Sequence, residues 1–284
     1  MSVIRPIEAQ DLPEVGQFLH GNMKRRISSE TWVASLKHEW SACQPNFGVQ
    51  LRDEDRLVGV CCAIYSDQTI NGRPERFCNP HSWCVLNDYR NSSISLILYL
   101  LKQPGYHFTM LTPNQKVTEI FLALRFRQLD DGLVVFANTP SFFSRHSGRF
   151  LECDPERIAA HLDGTSLRDF AQHRTIPWLK FAVFGTQGDV CLIIYKDDRW
   201  KRMSCARIVY ISDSRAFDRH LHLLRHHLLT ARGLLTSRVE SRFLAGAPRF
   251  AYRTKRTQPK LVLSETLADS QIRDIYSELV ALDV

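Results

Sequence analysis

No stretch of this sequence is apolar over the roughly 20 residues that a helix needs to cross a bilayer. The first residues, MSVIRPIEAQDLPEV, also lack the basic segment followed by an apolar segment that marks a secretory signal. These two absences argue against a membrane-spanning helix and against export. We therefore expect a cytoplasmic protein with no membrane span.

Paired cysteine spacing is also missing. The chain has eight cysteines, but no two of them form a CxxC motif, and most lie among apolar, strand-like neighbours. Such cysteines behave as small hydrophobic residues, and disulfides are rare in cytosolic proteins, so we expect buried, reduced thiols. His222 and His226 are four residues apart, but no HExxH glutamate accompanies them. We expect no metal site.

Charge of one sign is concentrated in a single place. The chain carries 37 Lys and Arg against 30 Asp and Glu, a net charge of +7, which favours anionic partners in general. Only residues 249–260, RFAYRTKRTQPK, form a basic stretch with interleaved aromatics. This pattern is typical either of a nucleic-acid-binding segment or of a solvated hairpin at a sheet edge. We favour the hairpin and do not expect nucleic acid as the partner.

The first half of the chain predicts an α+β fold. Its order is a strand, two helices, a run of antiparallel strands, then strand, helix, strand, helix and a final strand at 132–138. A helix between two neighbouring strands is a parallel crossover unit. We therefore expect a mixed, mostly antiparallel sheet flanked by helices.

The second half repeats this order. VCCAIY at 60–65 is matched by VCLIIY at 190–195, and HSWCVLND at 81–88 by the strand that begins at Met203. Each match is weak alone, but their shared order indicates an internal duplication. We predict two tandem domains of the same class, residues 1–142 and residues 143–284.

A polar turn before an apolar helix raises the main functional question. Residues 90–95 read Arg-Asn-Ser-Ser-Ile-Ser, and a strongly apolar helix begins near Ser93. The start of a helix presents unpaired N–H groups and the positive end of the helix dipole, which together bind anions, and a nearby Arg adds donors for phosphate. The residues alone fit a phosphate-binding turn and a capped core helix equally well.

Two motifs in this region resemble those of the GNAT (general N-acetyltransferase) superfamily. The family's Arg/Gln-x-x-Gly-x-Gly/Ala signature corresponds to Arg90-x-x-Ser93-x-Ser95, with serines in place of the glycines. Its Asn-x-x-Ala-x-x-Leu-Tyr-x-x-x-Gly-Phe signature aligns without a gap to NQKVTEIFLALRF, residues 114–126. Strand order, both motifs and their separation agree over residues 1–140.

The resemblance implies acyl-CoA as co-substrate, with residues 1–142 as its binding domain and residues 143–284 as a degenerate copy. The strand before the turn would hold the pantetheine arm, the turn would hold the pyrophosphate, and Asn114 would face the arm. The implied cofactor-binding residues are Trp83, Cys84, Val85, Leu86, Arg90, Asn91, Ser92, Ser93, Ile94, Ser95 and Asn114. In the second half Asp218 occupies the first small-residue position, where a carboxylate would repel a pyrophosphate.

The resemblance also implies a direct attack of an amine on the thioester, without a metal. The family's usual general acid, a Tyr, is Phe121 here. We take His81, Glu75 and Asp88 as candidate catalytic residues, and His81 as the best base by its usual pKa. The predicted function is therefore acyl transfer from acetyl-CoA or another acyl-CoA to a small-molecule or peptide amine.

Phe121 and the missing glycines favour an alternative, a catalytically inactive GNAT-fold protein that senses a ligand or acts as a scaffold. The sequence indicates neither the acceptor, nor the acyl chain length, nor the oligomeric state.

Overall fold

The computed structural model of the chain describes residues 2–23, 25–130, 132–141, 148–255 and 258–283. The chain divides into two compact units, each built from separate stretches of sequence. Unit 1 contains Met1–Leu129, Gln258–Leu267 and Tyr276–Val284, and unit 2 contains Asp130–Thr257 and Ala268–Ile275. Residues 142 and 143, where the sequence predicts a domain boundary, lie outside the described residues.

The strands and helices are numbered in chain order. The strands are β1 (Ser2–Pro6), β2 (Gly48–Asp53), β3 (Arg56–Ile70), β4 (Arg73–Val85), β5 (His107–Met110), β6 (Arg127–Gln128), β7 (Gly132–Ala137), β8 (Phe150–Glu152), β9 (Lys180–Thr186), β10 (Asp189–Trp200), β11 (Met203–Ile211), β12 (Thr236–Glu240), β13 (Ala251–Lys255) and β14 (Leu261–Leu263). The helices are α1 (Leu12–Asn22), α2 (Ser29–Ala34), α3 (Ser93–Leu101), α4 (Gln115–Ala123), α5 (Pro155–Ile158), α6 (Gly164–His173), α7 (Ser214–Thr230) and α8 (Glu278–Ala281).

The sheet of unit 1 has the strand order β1-β2-β3-β4-β5-β14-β6. Strand β3 is buried over almost its whole length, and residues 57–65 form a continuous apolar run rather than an alternating one, as expected for a strand covered on both faces. The neighbours of β3 are antiparallel to it, whereas β4 and β5 run parallel and are joined through α3. The predicted mixed, mostly antiparallel sheet is confirmed.

The sheet of unit 2 has the order β13-β7-β12-β11-β10-β9-β8. Its parallel pair is β11 with β12, joined through α7, so it repeats the strand–helix–strand unit of β4, α3 and β5. Residues 251–255 of the basic stretch form β13, which lies at the edge of this sheet. The α+β class and the two GNAT-like halves predicted from the sequence are confirmed.

Two strands occupy places in the sheets that the sequence did not predict. The strand at 132–138 was expected to complete the first half, but β7 pairs with β12 and β13 in the sheet of unit 2. In unit 1 the place beside β5 is taken by β14, which is antiparallel to β5 and to β6. Both segments are short and apolar, so their local sequence suits either sheet, and only long-range pairing assigns them.

The cysteines are free thiols, and Cys61, Cys62, Cys78, Cys191 and Cys205 are buried. Burial raises the pKa of the Cys62 thiol to about 12. Within the described ranges, no helix combines the length and the apolar character that a membrane span needs.

Candidate functional site

The parallel strands β4 and β5 diverge after a short paired segment. Their register covers only Phe77 and Cys78 opposite His107 and Phe108. At the end of this segment the Asn79 side chain bridges the strands, and its Nδ2 donates to the Thr109 carbonyl oxygen at 2.9 Å. Beyond Asn79, β4 stays paired with β3, but no described strand pairs with its other edge. That edge leaves backbone groups for an extended ligand.

A bulge lies in this free part of β4. The register with β3 shifts so that His81 is opposite Cys62 and Cys84 is opposite Val60. Ser82 within the bulge has a φ of 49°, in the left-handed region that few residues other than glycine adopt. A bulge bends its strand and redirects the side chains that follow, so β4 changes direction at Ser82, where the cleft begins. Bulges are frequent beside functional sites.

The polar turn leads from β4 into α3. A 3-10 turn covers Asn87–Ser92, and α3 follows at Ser93. No side chain among the described residues caps this helix, and its first turn contains no acidic residue. The Ser93 N–H donates to the Arg90 carbonyl oxygen inside the 3-10 turn, so the start of α3 offers an external anion the positive end of its dipole, with no capping carboxylate in competition.

A cavity of about 740 Å³ lies between the free part of β4, the polar turn and α4. Its lining residues are Asn22, Met23, Trp83, Cys84, Val85, Leu86, Asn87, Arg90, Ser93, Asn114, Lys116, Val117 and Ile120. Arg90 and Lys116 bring two cations to it, and neither forms an ion pair with a described carboxylate. The cavity thus offers an extended strand edge at one side and uncompensated positive charge at the other.

The structure places seven of the predicted cofactor-binding residues on this cavity. They are Trp83, Cys84, Val85, Leu86, Arg90, Ser93 and Asn114. Asn91 and Ser92 lie in the 3-10 turn and Ile94 and Ser95 in the first turn of α3, outside the lining. Asn114 also has a structural part, because its Oδ1 accepts from the Val117 N–H at 3.0 Å and caps α4.

Sequence reasoning missed Lys116. It lies two residues after Asn114 in the second motif, where its lining role could have been inferred from the shared helix start. Asn22 and Met23, at the end of α1, had no recognisable signal, because only the packing of α1 brings them to the cavity.

His81 is buried in β4 beside the bulge and does not line the 740 Å³ cavity. Its Nδ1 is 2.9 Å from Ser82 Oγ, and its Nε2 has no hydrogen-bond partner among the described residues. Burial, with a smaller contribution from His38, lowers the pKa of His81 to about 3. The ring is therefore neutral at physiological pH, with its Nε2 able to accept or donate one hydrogen bond according to the tautomer.

The other two catalytic candidates are not brought to His81. Glu75 lies six residues earlier on β4, about 20 Å away along an extended strand, and its Oε2 is 3.0 Å from His107 Nε2. Asp88 is exposed in the 3-10 turn and does not line the cavity. The catalytic roles of these three residues stay predictions.

Glu278, a residue that sequence reasoning missed, lies in α8 near the end of the chain. Its Oε1 accepts from the Thr112 hydroxyl at 2.7 Å, and its N–H donates to Asn79 Oδ1 at 3.2 Å. The side chain is buried, and burial raises the pKa of its carboxyl. No local pattern in DIYSELV separates such a glutamate from an ordinary one at a helix start.

The corresponding turn of unit 2 is satisfied internally. Asp213 Oδ1 accepts from the Ala216 N–H at 2.7 Å and caps α7. Asp189 binds Arg219 Nε at 2.9 Å and lies 2.8 Å from His220 Nε2. Because α7 begins at Ser214, Asp218 lies beyond its first turn, so the expectation that Asp218 itself occupies the phosphate position is wrong.

A cavity of about 930 Å³ borders this second turn, but its lining includes the carboxylates Asp163, Asp189 and Asp213. An anionic ligand would meet negative charge there. Among the described residues, no group of three or more His, Cys, Asp or Glu side chains is arranged to hold a metal ion.

The comparisons with known proteins concern the fold. No protein-family model matches the sequence, and no curated protein matches it either. Solved structures do match. A GCN5-related N-acetyltransferase from Anabaena variabilis is 15% identical, with a TM-score of 0.59 over 92% of this chain and 72% of that chain.

Two further solved structures match over a similar share of this chain. A GCN5-related N-acetyltransferase from Kribbella flavida is 13% identical, with a TM-score of 0.57 over 92% of this chain and 70% of that one. Eis1 from Mycobacterium abscessus is 12% identical, with a TM-score of 0.53 over 92% and 73%. The GNAT resemblance drawn from the two motifs is thereby confirmed in the fold, and the chain has the fold of the GCN5-related N-acetyltransferases.

Proposed function

We propose that unit 1 binds an acyl-CoA and transfers its acyl group to an amine. The observation that carries the proposal is the composition of the 740 Å³ cavity. One cavity combines an unpaired strand edge, an uncapped helix start and two cations without carboxylate partners. Acyl-CoA presents its groups in the same order, because an extended pantetheine arm joins its thioester to its pyrophosphate. The arm suits the strand edge, and the pyrophosphate suits the helix start and the cations.

Each part of the ligand has a partner in this proposal. The pantetheine arm would lie along Trp83–Leu86, where its amides take the place of a neighbouring strand. The pyrophosphate would bind at the positive end of the α3 dipole, with the Arg90 guanidinium as a two-pronged donor. Lys116 would add a point charge from α4. The resemblance further implies contacts from Asn91, Ser92, Ile94, Ser95 and Asn114.

The reaction balances without a cofactor of the protein. The acceptor ammonium loses a proton, and the free amine attacks the thioester carbonyl carbon. The C–N bond forms, the C–S bond breaks, and the sulfur keeps the electron pair. The second proton of the amine passes to the thiolate, which leaves as CoA thiol. The chain must orient the two reactants and accept the first proton.

Phe121 does not supply the proton to the thiolate. Its side chain is fully buried, 4.7 Å from the Phe126 ring centroid and 6.3 Å from that of Trp83. In this proposal the proton on sulfur therefore comes from the attacking amine. His81, neutral and with an unpartnered Nε2, is suited to hold the amine by a hydrogen bond. Glu75 and Asp88 remain catalytic candidates from the sequence alone.

The alternative is a GNAT-fold protein that binds a ligand without turnover. The buried Phe121 favours it, because the position of the usual proton donor is part of the hydrophobic core. A ligand sensor could bind acyl-CoA and a scaffold need not, so turnover is what separates acyl transfer from the alternative.

A thiol-release assay tests the proposal. The protein is incubated with acetyl-CoA and a panel of primary amines, from polyamines and amino sugars to a lysine peptide, and free CoA thiol is followed with a thiol reagent. We expect amine-dependent release with an acetylated product of the matching mass. Acetyl-CoA binding without amine-dependent release would support the ligand-sensing alternative, and absence of binding would contradict acyl transfer and leave the scaffold alternative.

A further inference from the structure

Glu278 is a buried carboxyl that the proposed binding of acyl-CoA does not use. It is 4% exposed, and its Oε2 has no hydrogen-bond partner among the described residues. Its other oxygen accepts from Thr112 Oγ1 at 2.7 Å. An unpartnered charged oxygen in the interior is costly unless a ligand or proton satisfies it.

The position of Glu278 connects it to the cleft between β4 and β5. Its backbone N–H donates to Asn79 Oδ1, and Asn79 Nδ2 bridges to Thr109 on β5. Thr112, its second partner, follows the end of β5. The carboxyl therefore lies where the paired segment of the two strands ends.

A second unpartnered group lies on the same face of β4. Asn79 and His81 are two residues apart on this strand, so their side chains share one face. His81 Nε2 and Glu278 Oε2 are both buried and both lack a partner among the described residues. Cys84 shares this face as well, because His81 is opposite Cys62 and Cys84 is opposite Val60 across the bulge, and Cys84 lines the 740 Å³ cavity. A polar track thus runs from the cavity wall to Glu278.

We propose that Glu278 binds the acceptor amine and is the base that takes its first proton. The inference rests on the proposed function and names the group that the reaction there leaves unassigned. The ammonium of the acceptor pairs with the carboxylate, transfers one proton to it, and attacks the thioester as the free amine. The protonated carboxyl then returns the proton to solvent.

The surroundings of Glu278 set the pH at which it works. Burial raises its pKa, while the Thr112 hydroxyl, the helix backbone, the Lys260 cation and Asn79 act in the opposite direction and favour the carboxylate. The net pKa lies above the ordinary value, which makes the carboxylate a stronger base than that of an exposed glutamate. Activity should fall as pH decreases through this pKa.

The test compares Glu278→Gln with Glu265→Gln, which removes the same charge from an exposed residue of the same C-terminal region. Steady-state kinetics with the best amine of the panel are measured from acidic to basic pH, and acetyl-CoA binding is measured in parallel. We expect Glu278→Gln to lose about 10²- to 10⁴-fold in kcat/KM for the amine, with acetyl-CoA affinity unchanged. Glu265→Gln should match the wild type.

A third variant, Thr112→Val, tests the role of Glu278 even if Glu278→Gln fails to fold. Removal of the Thr112 hydroxyl withdraws a hydrogen bond that favours the carboxylate, so the acidic limb of the kcat/KM profile should move to higher pH. A purely structural role would lower activity without moving this limb.

The outcomes separate the two proposals. Turnover by Glu278→Gln within twofold of wild type, or an unmoved acidic limb in Thr112→Val, would overturn the role of Glu278 while acyl transfer stands. A wild type that binds no acetyl-CoA, or that releases no thiol with any amine, would overturn acyl transfer and with it the role of Glu278.

Discussion

Units 1 and 2 contain the same strand–helix–strand arrangement, but the start of the helix differs between them. In unit 1, α3 begins without a side-chain cap and without an acid in its first turn, beside a cavity that holds Arg90. In unit 2, Asp213 caps α7, and Asp189 pairs with Arg219. One helix start is left for an external anion, and the other is satisfied by the chain's own carboxylate.

The contrast between α3 and α7 indicates that the fold alone does not create an anion site. Unpaired N–H groups occur at every helix start, and a capping carboxylate removes both the donors and the favourable charge. The chain contains its own control, because both kinds of helix start occur in one molecule.

The largest expected effect is on acetyl-CoA affinity, when acidic residues are placed at the start of α3, as a carboxylate is at the start of α7. The double variant Arg90→Glu/Ser93→Asp should lower acetyl-CoA affinity at least about 100-fold, because it removes charge-assisted hydrogen bonds worth about 1.5–3 kcal/mol each and adds repulsion. Ser93→Asp also suits a helix start, so the fold should persist. Calorimetric titration measures the affinity.

The matched control for this variant is Ser214→Asp/Arg215→Glu, which makes the same changes at the start of α7. It should leave acetyl-CoA affinity within twofold of wild type. Equal losses in the two double variants would show that the effect is general electrostatics and not a site at α3.

A smaller effect is expected on stability. Asp213→Ala removes the cap of α7 and should lower the free energy of unfolding by about 1 kcal/mol. Ser92→Ala, at the corresponding position before α3, should change it little, because Ser92 makes no capping hydrogen bond. Urea unfolding followed by circular dichroism compares them, and a cost for Ser92→Ala as large as that for Asp213→Ala would remove the contrast.

The smallest effect concerns pH. The hydrogen bond from Arg219, followed by that from His220, lowers the pKa of Asp189 to about 2. A folded pKa below the ordinary value of about 3.9 means stability that is present above about pH 4 and lost as pH falls toward the folded pKa. The gap in melting temperature between wild type and Asp189→Asn should therefore narrow on acidification. A gap that stays constant would contradict the ion pair's role.

Much of the candidate site was accessible from the sequence because its signals are local. The polar turn and the start of α3 at Ser93 follow from one turn and one helix, whereas Trp83–Leu86 and Asn114 were implied by the family resemblance of two short motifs. Periodicity and capping residues determine such segments within a few positions. The repeated order of elements likewise predicted the second sheet.

The rest depends on contacts between distant parts of the chain. β7 and β14 are short apolar strands whose local sequence does not distinguish the two sheets. Glu278 reaches Asn79 across 199 positions of sequence, so no local pattern could have indicated it. The low pKa of His81 also arises from burial, which the alternation of β4 did not reveal.

The number of acetyl-CoA molecules bound per chain tests the central claim most directly. Calorimetric titration of the wild type should give one site per chain, since of the two corresponding helix starts, α3 and α7, only α3 lacks a capping carboxylate. The site should vanish in Arg90→Glu/Ser93→Asp and remain in Ser214→Asp/Arg215→Glu. Two sites per chain, no site, or a single site lost only when α7 is changed would contradict the account.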